Sequence, residues 1–434
     1  MKWRSVALLM VVAAVMTVKA QEERTITVGE LFDLVESNSK TLQLQKTSVE
    51  FAQQGIDVAK NKRLPEVSTD VSVSFNGNVL TSERNFTDVH GYSVPHLGNS
   101  FALEARQVVY AGGAIDAGIR LAELEHSLAR VGESLTREQQ RFMALGQYLD
   151  LYKLRNSEQV YAQNISLTER LIADIKEKYE QGLVLRNDVT RYELQLETLK
   201  LGLRKVQDRR AIINHELCNT LGLTGVSVSP DTTMLSLAIV ASTEQHWQQQ
   251  AIVAAPELER SRLQHACAEQ LLRLARSEQL PKVALVAADY MNGPFNYDLP
   301  PKDINYNYWY VGVGVHYPIS ALYTGKKRVR QALTAVRQSH EAAAVAAEQV
   351  NNRVQRGYTL LQQAMAELDT RRKSVELAQQ NYQVVSDRYR SQLALITDML
   401  DASSMKLDAE LQLVDARISI IYAYYQMKYL TGTL

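Results

Sequence analysis

The nine prolines of this 434-residue chain, at positions 65, 95, 230, 256, 281, 294, 300, 301 and 318, leave two long stretches with none: residues 96–229 and everything after Pro318. Proline lacks a backbone N–H and its ring collides with the preceding turn, so these stretches are where long helix is permitted. Both are rich in Ala, Leu, Gln, Glu, Lys and Arg, which lose little side-chain freedom in a helix. Val350, Val354, Tyr358, Leu361, Met365 and Leu368 recur at spacings of three and four, one apolar stripe along a helix. A helix over 114–181 is about 100 Å long at ~1.5 Å per residue. That length belongs to coiled coils and helical barrels.

Strand patterns lie between the helical stretches. In residues 66–79, Val67, Thr69, Val71, Val73 and Phe75 alternate with Ser68, Asp70, Ser72, Ser74 and Asn76. That is a period of two, with one apolar and one polar face. Residues 100–110, 282–291 and 305–317 are three further strands. Loops rich in Gly, Asn, Pro and Asp separate the members of each pair, near 77–98 and 292–304. Each strand has about ten residues, what a tilted strand needs to cross a bilayer. Tyr306, Tyr308, Trp309, Tyr310 and Tyr317 are candidates for the aromatic girdle at a membrane interface.

The N-terminus bears on location. Met1-Lys2-Trp3-Arg4 is a short basic start, Ser5 to Val18 is apolar, and Val18-Lys19-Ala20 places small or apolar residues before Gln21. This pattern is a cleavable signal peptide over residues 1–20. Beyond it no apolar run reaches the roughly 18 residues of a membrane helix. Formal net charge is zero, which gives no electrostatic case for nucleic acid. Cys218 and Cys267 make no disulfide framework, and two buried thiols or one bridge are both open.

The chain is duplicated at an offset near 210–216 residues. Leu64-Pro65 leads into the first strand pair and Leu280-Pro281 into the second. A glycine-containing break follows each pair, Ala111-Gly112-Gly113 and Tyr323-Thr324-Gly325, before a long helix. The long helices are interrupted alike: Tyr179, Leu183 and Asp188 match Tyr389, Leu393 and Asp398. Gly182 is suited to a helix C-cap, and Asn187 and Asp188 to the N-cap of the next helix. The domain plan is a first repeat over 21–223 with its tip at 180–188, a connecting segment over 224–256, and a second repeat over 257–434 with its tip at 390–398. The unit is helix, strand, strand, long helix, turn, helix, giving a mainly α fold with a β-barrel portion. Four strands cannot close a barrel, and open edges are not tolerated in lipid. Three copies give twelve strands, an allowed even number, whereas two give eight and a filled interior. A cyclic homotrimer is expected.

With Val109-Tyr110-Ala111-Gly112-Gly113 before a long helix, and the tip motifs Tyr179-Glu-Gln-Gly182 with Asp188-Val189 and Tyr389 with Asp398-Met399-Leu400-Asp401-Ala402, the mature chain resembles the TolC-like outer-membrane efflux proteins. The resemblance implies a homotrimer whose barrel sits in the outer-membrane lipid of a Gram-negative cell and continues into a periplasmic α-helical barrel. It implies a periplasmic adaptor protein and an inner-membrane transporter as partners. By position, Asp398 and Asp401 are the acids expected to ring the channel constriction. Tyr389 and Asp188 are expected to make gating contacts. Gly182, Leu183, Val184, Gln392, Leu393 and Leu395 are expected at the adaptor docking tips. Gln392 replaces the second-copy glycine, and Ala394 stands where some members carry a basic residue.

The expected function is passive conduction of substrates handed over by a pump. Two alternatives are an exit duct for type I protein secretion and a structural coiled-coil protein of the envelope. Enzymatic readings find no support. The eight histidines are scattered without metal-ligand spacing, and no phosphate-binding loop or nucleophile elbow occurs. No catalytic residue, metal site or cofactor is expected.

Overall fold

The structure, a computed structural model, describes residues 22–231, 242–391 and 393–434. The expected signal peptide and Gln392 lie outside the described residues. In chain order the elements are β1 (Glu22–Ile26), α1 (Val28–Asn38), α2 (Lys40–Asn61), β2 (Glu66–Phe75), β3 (Val79–Thr81), β4 (His90–Tyr92), β5 (Leu97–Tyr110), α3 (Ala114–Glu180), α4 (Arg186–Leu221), β6 (Val226–Pro230), α5 (Glu244–Ala254), α6 (Pro256–Ser277), β7 (Lys282–Gly293), β8 (Tyr306–His316), α7 (Ala321–Arg390) and α8 (Ile396–Leu430). The fold is mainly helical, and α3 and α7 run unbroken for 67 and 70 residues.

The chain divides into two compact units that cut across the two repeats: Met1–Lys46, Glu133–Glu257 and Ala347–Leu434 in one, Thr47–Gly132 and Leu258–Ala346 in the other. In the first, β1 and β6 pair in parallel, Arg24 opposite Val228. Residues 226–230 look like loop in sequence, because a two-strand parallel pairing spanning 200 residues has no local pattern. Burial of Ile26, Leu31, Leu145, Leu149, Leu217 and Leu221 forms the core beneath it. Fully burying such a side chain contributes about 1.5–3 kcal/mol. Tyr148 locks the pair, its hydroxyl donating to the Ile26 carbonyl at 2.7 Å and accepting from the Asp231 N–H at 2.9 Å. Burial pushes that phenol up to about 12. Asn214 bridges to β6, donating to the Val226 carbonyl at 3.0 Å and accepting from the Val228 N–H at 2.7 Å. Cys218 and Cys267 are both free thiols.

The second unit holds a four-stranded antiparallel sheet in the order β2-β5-β7-β8 and a short antiparallel pair, β3-β4. Among the described residues β2 and β8 are each paired on one side only. Sequence places the second loop-to-helix break at Gly325, but α7 already begins at Ala321, so Gly325 lies inside the helix. A glycine there lets the helix pass Gln279, whose Cγ lies 2.8 Å from where a Cβ would stand. Gly112 is a true turn residue, with φ +64° and its missing Cβ filled by Leu280 and the Ser277 carbonyl.

Candidate functional site

Two surfaces carry the functional chemistry, one on each unit. The first is the four-stranded sheet. Strand alternation and the register Val71–Phe101–Met291–Asn307 and Val67–Ala105–Ala287–Val311 assign every residue to a face. One face presents Val67, Val71, Val73 and Phe75 of β2 and Trp309, Val311, Val313 and Val315 of β8, all exposed. The other carries Ser68, Asp70, Ser72, Glu104, Ser100 and Asn292. A sheet that exposes its valines on one side while presenting serines and acids on the other has two different solvents to meet. Asp289 puts a charge on the apolar face, and there its carboxylate accepts from the Asn307 amide at 2.6 Å.

This alternation splits the five aromatics expected in one girdle. Trp309 lies on the apolar face. Tyr306, Tyr308 and Tyr310 occupy the even positions of β8 and lie on the polar face, so a girdle role does not fit these three. Tyr317 stands one residue beyond β8 and is exposed.

The second surface is the pair of helical tips in the other unit. At the first, Gly182 has φ +72° and its N–H bonds the Tyr179 carbonyl at 2.9 Å, which closes α3. The residue at the cap of α4 is Leu185, and Asp188 sits three positions in. Asp188 reaches back, its Oδ2 accepting from the Leu185 N–H at 3.1 Å. The second tip repeats this: Leu395 caps α8 and the Asp398 Oδ2 accepts from the Leu395 N–H at 3.0 Å. Asn187 and Asp188 are therefore not N-cap residues as their types suggest. The acids satisfy the first free donor from the third helical position, half of a capping box. Leu183, Leu185, Leu393 and Leu395 are exposed, Leu185 by 72% and Leu393 by 70%. Val184 packs partly into the tip core.

That core comprises Ile172, Ile175, Val189, Tyr192, Tyr389, Ile396 and Met399. It joins α3, α4, α7 and α8, so both tips are braced by one cluster. The hydroxyls of Tyr192 and Tyr389 are buried and have no hydrogen-bond partner. Tyr389 therefore makes no hydrogen bond to Asp188, and its ring instead takes the Lys178 ammonium at 4.5 Å. Burial raises the Tyr389 phenol above its ordinary range, with the Asp188 and Asp174 carboxylates adding to the effect. Burial also raises Tyr192, helped by Tyr389 and Tyr382. Tyr192 is a tip residue that sequence reasoning missed; its place one turn after Asp188 was the available signal. Asp398 and Asp401 are both exposed, three residues apart on α8. Among the described residues no group of His, Cys, Asp and Glu is placed to hold a metal, and no helix is long and apolar enough to cross a membrane.

Residues 247–433 match the family described as outer membrane efflux protein. Three solved structures share the fold. The outer membrane protein VceC from Vibrio cholerae is 15% identical, with 93% of this chain and 96% of that chain covered and a TM-score of 0.74. CusC, described for its transmembrane channel formation, is 14% identical, covering 93% and 92%, with a TM-score of 0.79. The CmeC outer membrane channel of Campylobacter jejuni is 13% identical, covering 94% and 85%, with a TM-score of 0.74. No curated protein matches in sequence. At these identities the structural likeness speaks for the fold, and the family match extends over residues 247–433. The chain shares the fold of these outer-membrane channel structures, and its second half carries the outer membrane efflux protein match.

Proposed function

We propose that the protein is the passive outer-membrane duct of a tripartite efflux system, working as a homotrimer. The observation that carries this is the incomplete sheet: four strands, an exposed apolar face, and β2 and β8 each paired on one side only among the described residues. In lipid an unpaired edge leaves a row of backbone donors and acceptors without partners, at several kcal/mol each by order of magnitude. Joining β2 of one copy to β8 of the next removes every edge. Three copies then enclose an aqueous lumen lined by the polar face, with the valine face turned to lipid. The long helices supply the periplasmic tunnel.

The sequence carries no phosphate-binding glycine loop, and the driving force comes from a partner. The exposed leucines at the tips suit docking by a helical hairpin of a periplasmic adaptor, which links the duct to an inner-membrane transporter. Asp398 and Asp401 place up to six carboxylates around the trimer axis, a cation-favouring constriction. Purified protein added to planar bilayers gives stepwise conductance if this is right. Intact, heat-modifiable protein that inserts and yet never conducts would contradict it.

A further inference from the structure

The polar face of the sheet carries a feature that conduction alone does not require. Tyr290 stacks on Tyr308 with ring centroids 5.0 Å apart and on Tyr310 at 6.3 Å. Tyr308 stacks in turn on Tyr306 at 6.3 Å with planes 8° apart, and Tyr297 of the following loop meets Tyr306 edge-on at 5.9 Å. With Phe295 edge-on to Tyr306 at 5.2 Å, six rings form one continuous column, of which Tyr290, Tyr306, Tyr308 and Tyr310 lie on the face assigned above to the lumen. Tyr308 and Tyr310 are 44% and 45% exposed, so ring surface remains open to a passing solute.

The charges on the rungs of the stacked rings are acidic. Reading across the register, the rung of Tyr290 and Tyr308 carries Asp70, and the rung of Tyr310 carries Glu104. The Tyr290 hydroxyl donates to Glu104 at 2.5 Å, which ties ring to carboxylate. The nearest guanidinium, Arg106, is one rung away and faces Glu66 directly. Two carboxylates per copy on this face, Glu104 bonded to the Tyr290 hydroxyl and Asp70 two strands over, beside rings whose faces are themselves electron-rich, select for positive charge combined with a flat ring system.

We propose that the column is a transit site for planar aromatic cations, engaged as they leave through the barrel; this rests on the trimeric-channel reading above. A solute of this class gains ring stacking and cation–π contact at once, while an aliphatic cation of equal charge gains only the Coulomb attraction. Three columns around one axis give three equivalent sites at the same depth.

The test uses the full-length trimer in planar bilayers, with ethidium as the probe and tetrapropylammonium as the aliphatic cation of equal charge. Each is added on the barrel side, and the concentration giving half-block is read for both in the same preparation. The ratio of the two cancels any change in pore size or surface charge. In the unaltered protein ethidium is expected to block at about tenfold lower concentration. Tyr308→Leu with Tyr310→Leu is expected to bring the two within about twofold, and Tyr308→Phe with Tyr310→Phe to keep the preference. Equal block by both cations in the unaltered protein would overturn the proposal, a result that stands even if the leucine variant does not assemble. A preference that survives in an assembled leucine variant would overturn it equally, because block would then arise elsewhere, such as the tips. Unaltered protein giving no conductance steps would remove the channel reading itself, a failure distinct from these two.

Discussion

Replacing Tyr192 and Tyr389 together with phenylalanine should favour the packed tip and lower channel opening. Both hydroxyls are buried in one apolar cluster and neither finds a hydrogen-bond partner. A buried hydroxyl left in that state costs about 1–3 kcal/mol. Any opening that parts α3, α4, α7 and α8 at the tip returns both hydroxyls to water and recovers this cost. Taking about 2 kcal/mol for the pair, since neighbours in one cluster do not add fully, the double variant shifts the balance toward the packed tip about thirtyfold. Alkaline pH adds a second signature. Burial holds both phenols above their ordinary range in the packed tip. The packed form therefore keeps its full advantage below about pH 10, the ordinary phenol value. Above that, an opened tip ionises first and the packed form loses ground. Open probability in single-channel recordings should rise above pH 10 in the unaltered protein, and this rise should shrink in the double variant, where only Tyr382 of the raised tip phenols remains. Tyr148→Phe is the contrast, because it breaks two good hydrogen bonds at 2.7 and 2.9 Å and should destabilise the chain by about 1–3 kcal/mol. Equal or higher opening in the Tyr192→Phe, Tyr389→Phe variant would refute the reasoning.

Two further outcomes follow from the tips. Asp398→Asn with Asp401→Asn should lower the cation preference measured as a reversal potential across a salt gradient. Asparagine can still accept from the Leu395 N–H, so this change isolates charge, whereas Asp398→Ala should also cost about 1 kcal/mol of helix capping. Unchanged selectivity in the double asparagine variant rejects the acidic ring. Leu183→Glu should restore drug sensitivity to a resistant strain while the trimer still assembles on gels, since Leu183 is exposed and lies outside the buried tip core. Full resistance in that variant argues against docking at the first tip.

Much of the architecture is legible in the sequence because it rests on short periods. The alternation from Val67 to Phe75 gives β2, and the proline-free stretches give α3 and α7. Parity also assigns the β8 tyrosines to the polar face, since Val311, Val313 and Val315 are odd and Tyr306, Tyr308 and Tyr310 are even. Grouping them by residue type obscures it. Other features depend on partners far along the chain. The pairing of Arg24 with Val228 has no signature in either segment. The capping role of Asp188 and Asp398 is displaced by three positions because leucines occupy the caps themselves. The ring column needs Tyr290 of one strand beside Tyr308 of another, which only the β7–β8 register supplies.

The central claim is that β2 of one copy meets β8 of the next until three copies close a ring. Cysteine at Val71 on β2, combined in successive variants with cysteine at Trp309, Val311 or Val313 on the same face of β8, tests it by oxidative cross-linking in native outer membranes. The account predicts that at least one pair yields a ladder ending at the trimer, with the fully linked species migrating as a closed ring. A protein that stays monomeric with every pair, or a ladder that runs past three, would contradict it.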